Sequence, residues 1–113
     1  MIMLLSGTTV TRAQAHAFLD HADPPGGHKV KQMPHEVRIW FAEPIERALS
    51  SIKVFDATGK RIDKKDAHAD AKNKTLLQVS LLSLAPGTYK VVWRVVSTDT
   101  HATKGDFAFR YAP

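Results

Sequence analysis

Three pieces of this chain carry side chains able to grip a metal ion. The first is His16, which directly follows Ala13-Gln14-Ala15. That tripeptide has the small-x-small form at which secretory signals are cut. Cut there, the chain begins at His16, whose α-amine and imidazole Nδ1 can close a six-membered chelate ring on one ion. The second piece is Asp99-Thr100-His101, where an i, i+2 spacing sets both side chains on one side of an extended backbone. The third is Glu43, just beyond the alternating stretch Val37 to Phe41. An amine, two imidazoles and a carboxylate form a nitrogen–oxygen donor set, and tetragonal ligation by such a set favours Cu(II). Zinc accepts the same donors but prefers a tetrahedral arrangement. Protons compete for the nitrogens, with reference values near 7.7–8.0 for an α-amine and 6.5 for an imidazole. Affinity is therefore expected to fall steeply below about pH 6.

Other donor chemistries are narrower. The chain has no cysteine, which removes disulfides, thiolate metal sites and a cysteine nucleophile together. Beyond residue 16 the one methionine is Met33, too few for a thioether site for Cu(I). Each candidate also has a plainer reading. Asp99 suits a turn cap, His101 a surface loop, and Glu43 a solvated strand end as well as a place axial to or just outside a metal. His21, His28, His35 and His68 read as exposed loop or strand residues. Strand alternation sends His21 to the face opposite His16.

The elements that must position these residues are strands. Val37, Ile39 and Phe41 alternate with Arg38 and Trp40, and Ile52 and Val54 flank Lys53. Leu77, Val79 and Leu81 alternate with Gln78, Ser80 and Leu82. Tyr89, Val91, Trp93 and Val95 share one face of a long strand whose other face is also partly apolar, so it is expected to be central. Phe107, Phe109 and Tyr111 predict a last strand, and His16 to His21 a first. Asp23 to Gly27, Asp56 to Gly59 and Pro86-Gly87 are turns. Asp66 to Lys74 reads as a loop or one turn of helix. Leu84-x-Pro-Gly-x-Tyr89 has the form of a tyrosine corner. Short strands separated by turns predict an all-β protein, an immunoglobulin-like Greek-key sandwich or barrel. One domain is expected over 16–113. Residues 1–15, with the apolar run Met1 to Leu5, read as the tail of a signal peptide.

The formal net charge is +5. The lysines scatter from Lys29 to Lys104, and the densest group (Lys60, Arg61, Lys64, Lys65) is broken by Asp63 and Asp66. That pattern reads as a solvated basic surface and not as a nucleic-acid site. It does not steer cations, so metal capture would rest on chelation. No segment approaches the roughly 20 apolar residues of a membrane-spanning helix.

The pieces in this order resemble the CopC family of periplasmic copper-resistance proteins. The similarity is carried by His16-Ala17-Phe18-Leu19, by Val37 to Glu43 with Pro44, by Leu84-x-Pro-Gly-Thr-Tyr-Lys-Val-Val-Trp-Arg-Val-Val-Ser-Thr-Asp-Thr-His101, and by Lys104 to Phe107 with Phe109. It spans almost all of 16–113, and Trp93 to His101 is its most specific part. The resemblance implies a Greek-key β-barrel or sandwich that binds Cu(II) through His16, Asp99 and His101, with Glu43 near the metal. It implies a non-enzymatic periplasmic carrier of the copper ion; a monomer is the default expectation, with a membrane copper transporter as a candidate partner. The methionine-rich Cu(I) loop of some members is missing here, so a Cu(II)-only carrier is expected. Two other readings compete. A copper oxygenase also uses an N-terminal histidine chelate, but the Asp99 carboxylate would occupy an equatorial place and disfavour redox cycling. An immunoglobulin-like interaction module would take up no copper.

Overall fold

The computed structural model describes residues 18–113. Eight strands form two four-stranded sheets: β1 (Leu19–Asp23), β2 (Lys29–Val30), β3 (Glu36–Phe41), β4 (Ser51–Phe55), β5 (His68–Ala69), β6 (Leu76–Ser80), β7 (Gly87–Val96) and β8 (Ala102–Tyr111). One sheet has the order β1-β3-β6-β5 and the other β2-β8-β7-β4. All pairings are antiparallel except β2 with β8. The chain crosses between sheets at five of its seven connections, as expected of an immunoglobulin-like Greek-key sandwich.

Alternation builds the core. Val37, Ile39 and Phe41 of β3 and Leu77 and Val79 of β6 face Ile52 and Val54 of β4, Tyr89, Val91, Trp93 and Val95 of β7, and Phe109 of β8. Each such aliphatic side chain contributes roughly 1.5–3 kcal/mol by leaving water. β7 lies inside its sheet, between β8 and β4, as its two partly apolar faces predict. The tyrosine corner is present: the buried Tyr89 hydroxyl donates to the Ala85 carbonyl.

Four features go beyond what alternation and turn signals predict. The last strand begins at Ala102, five residues before Phe107. Its inward positions there are Thr103 and Gly105, which show no apolar signal. Gly105 is small for a reason: a Cβ at that position would lie 2.7 Å from the Trp93 ring. The Asp66 to Lys74 segment contains the two-residue strand β5 between turns and no helix. A short 3-10 turn, Arg47–Leu49, joins β3 to β4. The first strand starts at Leu19 and carries a bulge: Leu19 pairs with Phe41 and His21 with Trp40, leaving Asp20 extra. A bulge breaks the period of two, so the face of His21 says nothing about that of a residue upstream of Leu19. The expected His16 to His21 start lies partly outside the described residues.

Candidate metal centre

The β7–β8 hairpin ends in a tight loop. Ser97 N–H donates to the His101 carbonyl (2.9 Å) and Thr100 N–H to the Ser97 carbonyl (2.8 Å). Thr100 has a φ of 73°. A four-residue turn followed by a left-handed residue is a common three-residue hairpin connection, which usually places glycine at the left-handed position. Threonine there carries strain on the order of 1–2 kcal/mol. Asp99 and His101 therefore meet across a turn. They do not lie side by side on an extended strand, as their spacing had suggested.

Ser97 holds this turn. It is fully buried, its hydroxyl donates to Asp99 Oδ1, and the same oxygen accepts from His101 N–H at 3.1 Å. His101 Nδ1 lies 3.4 Å from Asp99 Oδ1. Asp99 Oδ2 has no hydrogen-bond partner among the described residues. The hydrogen bond from Ser97 is the main reason the Asp99 carboxyl sits below its ordinary pKa. Slight desolvation opposes this and the nearby His101 charge adds to it. Asp99 is thus an anion across the physiological range. Ser97 was not singled out from the sequence. The signal was there, in a run of four turn-forming residues, Ser97-Thr98-Asp99-Thr100, directly after an apolar strand.

The end of β3 brings the third group. Thr98 N–H donates to the Pro44 carbonyl (3.0 Å), Glu46 N–H to the Val96 carbonyl (2.7 Å), and Ile45 bridges Ser97. These bonds clamp the Glu43–Glu46 segment to the hairpin. Donor atoms of Glu43, Asp99 and His101 lie within 4.8 Å of one another, and all three side chains are exposed. Metal–nitrogen and metal–oxygen bonds are about 2 Å, so small rotamer changes bring the three onto one ion. Neither carboxylate has a lysine or arginine within 4.0 Å among the described residues. Two carboxylates converge with no lysine or arginine between them, an arrangement that a bound cation relieves.

The core beneath is aromatic. Trp93 packs edge-on against Phe41, with centroids 5.4 Å apart, and Phe41 lies 5.6 Å from Phe18. The Phe18 carbonyl accepts from Ala42 N–H at 2.8 Å, so the chain enters the fold beside the residue that precedes Glu43. His16 lies outside the described residues.

The other histidines are exposed, as expected. His21 stacks on Trp40 (4.4 Å, 7° between planes) and contacts Asp20 at 2.8 Å. His68 Nδ1 bonds the Asp66 carbonyl (2.8 Å). Met33 is tied to the fold, because its sulfur accepts from Leu84 N–H at 3.3 Å.

The two-sheet sandwich is the fold of a known family. The CopC domain profile matches residues 19–112, and the chain belongs to the CopC family. This is a family of copper-resistance and copper-transport proteins, not of enzymes. The chain is 33% identical to Protein YobA of Escherichia coli (strain K12) over 110 residues, covering 96% of this chain and 89% of that protein. It is 31% identical over 96 residues to Copper transport protein CutJ of Bacillus subtilis (strain 168), covering 84% of this chain but 18% of that larger protein. The crystal structure of CopC from Methylosinus trichosporium OB3b superposes with a TM-score of 0.79 at 35% identity, covering 87% of this chain and 95% of that one.

Proposed function

We propose that the protein is a periplasmic Cu(II) carrier. It binds one ion through the His16 amine, His16 Nδ1, His101 and Asp99, with Glu43 beside the metal. The observation that carries this reading is the convergence of Glu43, Asp99 and His101, exposed and with no lysine or arginine beside the carboxylates, at the tip of the β7–β8 hairpin. Chain connectivity supports adding His16. Phe18 is held against Ala42, next to Glu43, and two residues of extended chain reach about 7 Å.

Four donors of this kind suit tetragonal Cu(II). Asp99 brings negative charge that partly neutralises the ion, and its hydrogen bond from Ser97 fixes one oxygen while leaving Oδ2 to the metal. The amine exists only after cleavage behind Ala15, so export and metal binding are coupled. The domain corresponds to 18% of CutJ, which is named a copper transport protein. That link between the domain and copper transport supports a carrier that passes copper to a transporter, here taken to act as a monomer on a transporter in the membrane.

Equilibrium dialysis of the chain beginning at His16 against Cu(II) is the test. One tightly held equivalent is expected, lost when Glu43, Asp99 and His101 are all replaced by alanine. Undiminished uptake in that triple variant would place the copper elsewhere.

A further inference from the structure

The outer face of the β2-β8-β7-β4 sheet gathers charge of one sign. Alternation and register turn Lys29, Lys53, Lys90, Arg94, Lys104 and Arg110 outward together. Asp106 is the single acidic residue among the outward strand positions. The excess of five positive charges on this face equals the formal net charge of the whole chain, +5, so the rest of the sequence balances to zero. None of the six cations lies within 4.0 Å of a carboxylate among the described residues. Arg94 stands directly opposite Lys104, and Lys29 opposite Arg110. Like charges placed opposite each other weaken a sheet, and Asp106, the one carboxylate on the face, lies within 4.0 Å of none of them. The outer face of the other sheet is different: Arg38 there pairs with Asp23 (3.5 Å) and Glu36 (3.7 Å).

We propose that this cationic face docks the protein onto a membrane surface rich in anionic phospholipid. Four strands about 4.8 Å apart make a broad patch and not a cleft. Its cations sit on long side chains that no hydrogen bond holds in place among the described residues. Mobile lipid headgroups can rearrange to meet such charges, whereas the fixed carboxylates of a protein partner would need cations held at matching positions. Phe55 and Val92, half-buried between the lysines, add apolar contact. Arg94 and Lys104 are each three residues from the Ser97–His101 loop, about 10 Å along the strands. Docking on this face holds that loop close to the bilayer, where an integral membrane acceptor would stand. The inference rests on charge and register and not on the metal, so it stands or fails separately from the copper reading.

The test is co-sedimentation of the chain beginning at His16 with two kinds of vesicle: phosphatidylcholine alone, and phosphatidylcholine with about a third phosphatidylglycerol. Two variants lose the same charge from different places: Lys53→Gln/Lys90→Gln/Lys104→Gln on the face, and Lys60→Gln/Lys64→Gln/Lys65→Gln in the loop after β4. Each cation near an anionic surface is worth about fivefold in partitioning. The face variant is therefore expected to bind anionic vesicles roughly a hundredfold more weakly, and the loop variant within a few-fold of the parent. Binding should vanish on phosphatidylcholine and weaken as salt shortens the screening length. Thermal unfolding confirms that each variant is folded. Equal losses in the two variants would reduce the effect to net charge and overturn the proposal. A parent that ignores anionic vesicles but binds polyglutamate in a face-dependent way would overturn it in favour of an acidic protein partner.

Discussion

Asp63 and Asp99 are both held below the usual carboxylate pKa, yet they do opposite things. Asp63 is fully buried. Its Oδ2 accepts from Val54 N–H (2.8 Å) and Arg61 Nε (2.8 Å), and its Oδ1 from Arg61 Nη2 (3.1 Å) and Lys65 N–H (2.9 Å). Burial alone would raise its pKa; the Arg61 fork and the two backbone donors outweigh that and lower it. Every acceptor position is committed to the protein, so Asp63 fastens β4 to the loop that follows. Asp99 is more than half exposed. It is lowered mainly by one hydrogen bond from a buried serine, and it keeps an oxygen free beside Glu43 and His101. A depressed pKa alone does not mark a ligand. What makes Asp99 a candidate is an anion kept ionised while part of it stays open to solvent.

That contrast can be broken at several points. The largest effect is expected from Asp63→Ala, which strands buried donors and an arginine and should cost about 3 kcal/mol in urea unfolding. The pH dependence has a definite sign. Asp63 has a folded pKa below its unfolded one, so its contribution is full above about pH 4 and is lost as pH falls through the folded value. Urea midpoints of the parent should drop between pH 5 and pH 2.5, and those of Asp63→Asn should drop less. Asp99→Ala should do the reverse: stability within about 0.5 kcal/mol of the parent, but Cu(II) held ten- to a hundredfold more weakly in competition titrations. Ser97→Ala joins the two behaviours. Without its hydroxyl the turn loses the partner of both Asp99 and His101 N–H, so copper affinity should fall about tenfold and stability by about 1 kcal/mol. Thr100→Gly should have the smallest effect. Relief of the left-handed strain is offset by the freedom glycine gains in the unfolded chain, leaving about 0.5 kcal/mol of added thermal stability and copper affinity within about twofold.

The sandwich was legible wherever inward positions are apolar: β3, β4, β6 and most of β7 could be read from alternation alone. β8 was half hidden because its first inward positions are Thr103, opposite Val95, and Gly105, kept small by the Trp93 ring across the strand pair. β2 and β5, two residues each, are too short to show a period. At the candidate site, residue types were legible and geometry was not. Asp99 and His101 were visible as a pair, but the turn that joins them depends on a buried serine and a left-handed threonine. The cationic face was invisible for a related reason. Lysines scattered along the sequence become neighbours only once strand register sets β4, β7 and β8 side by side.

The central claim is that cleavage at His16 completes the copper site, and one comparison tests it most directly. Cu(II) is titrated, with electron paramagnetic resonance as readout, into a chain that begins at His16 and into one carrying a single extra residue before it. The first should bind one equivalent with a tetragonal, nitrogen-rich spectrum, and the second should bind far more weakly, because its His16 nitrogen is an amide. Identical spectra and affinities in the two chains would contradict the account and remove the His16 amine from the site.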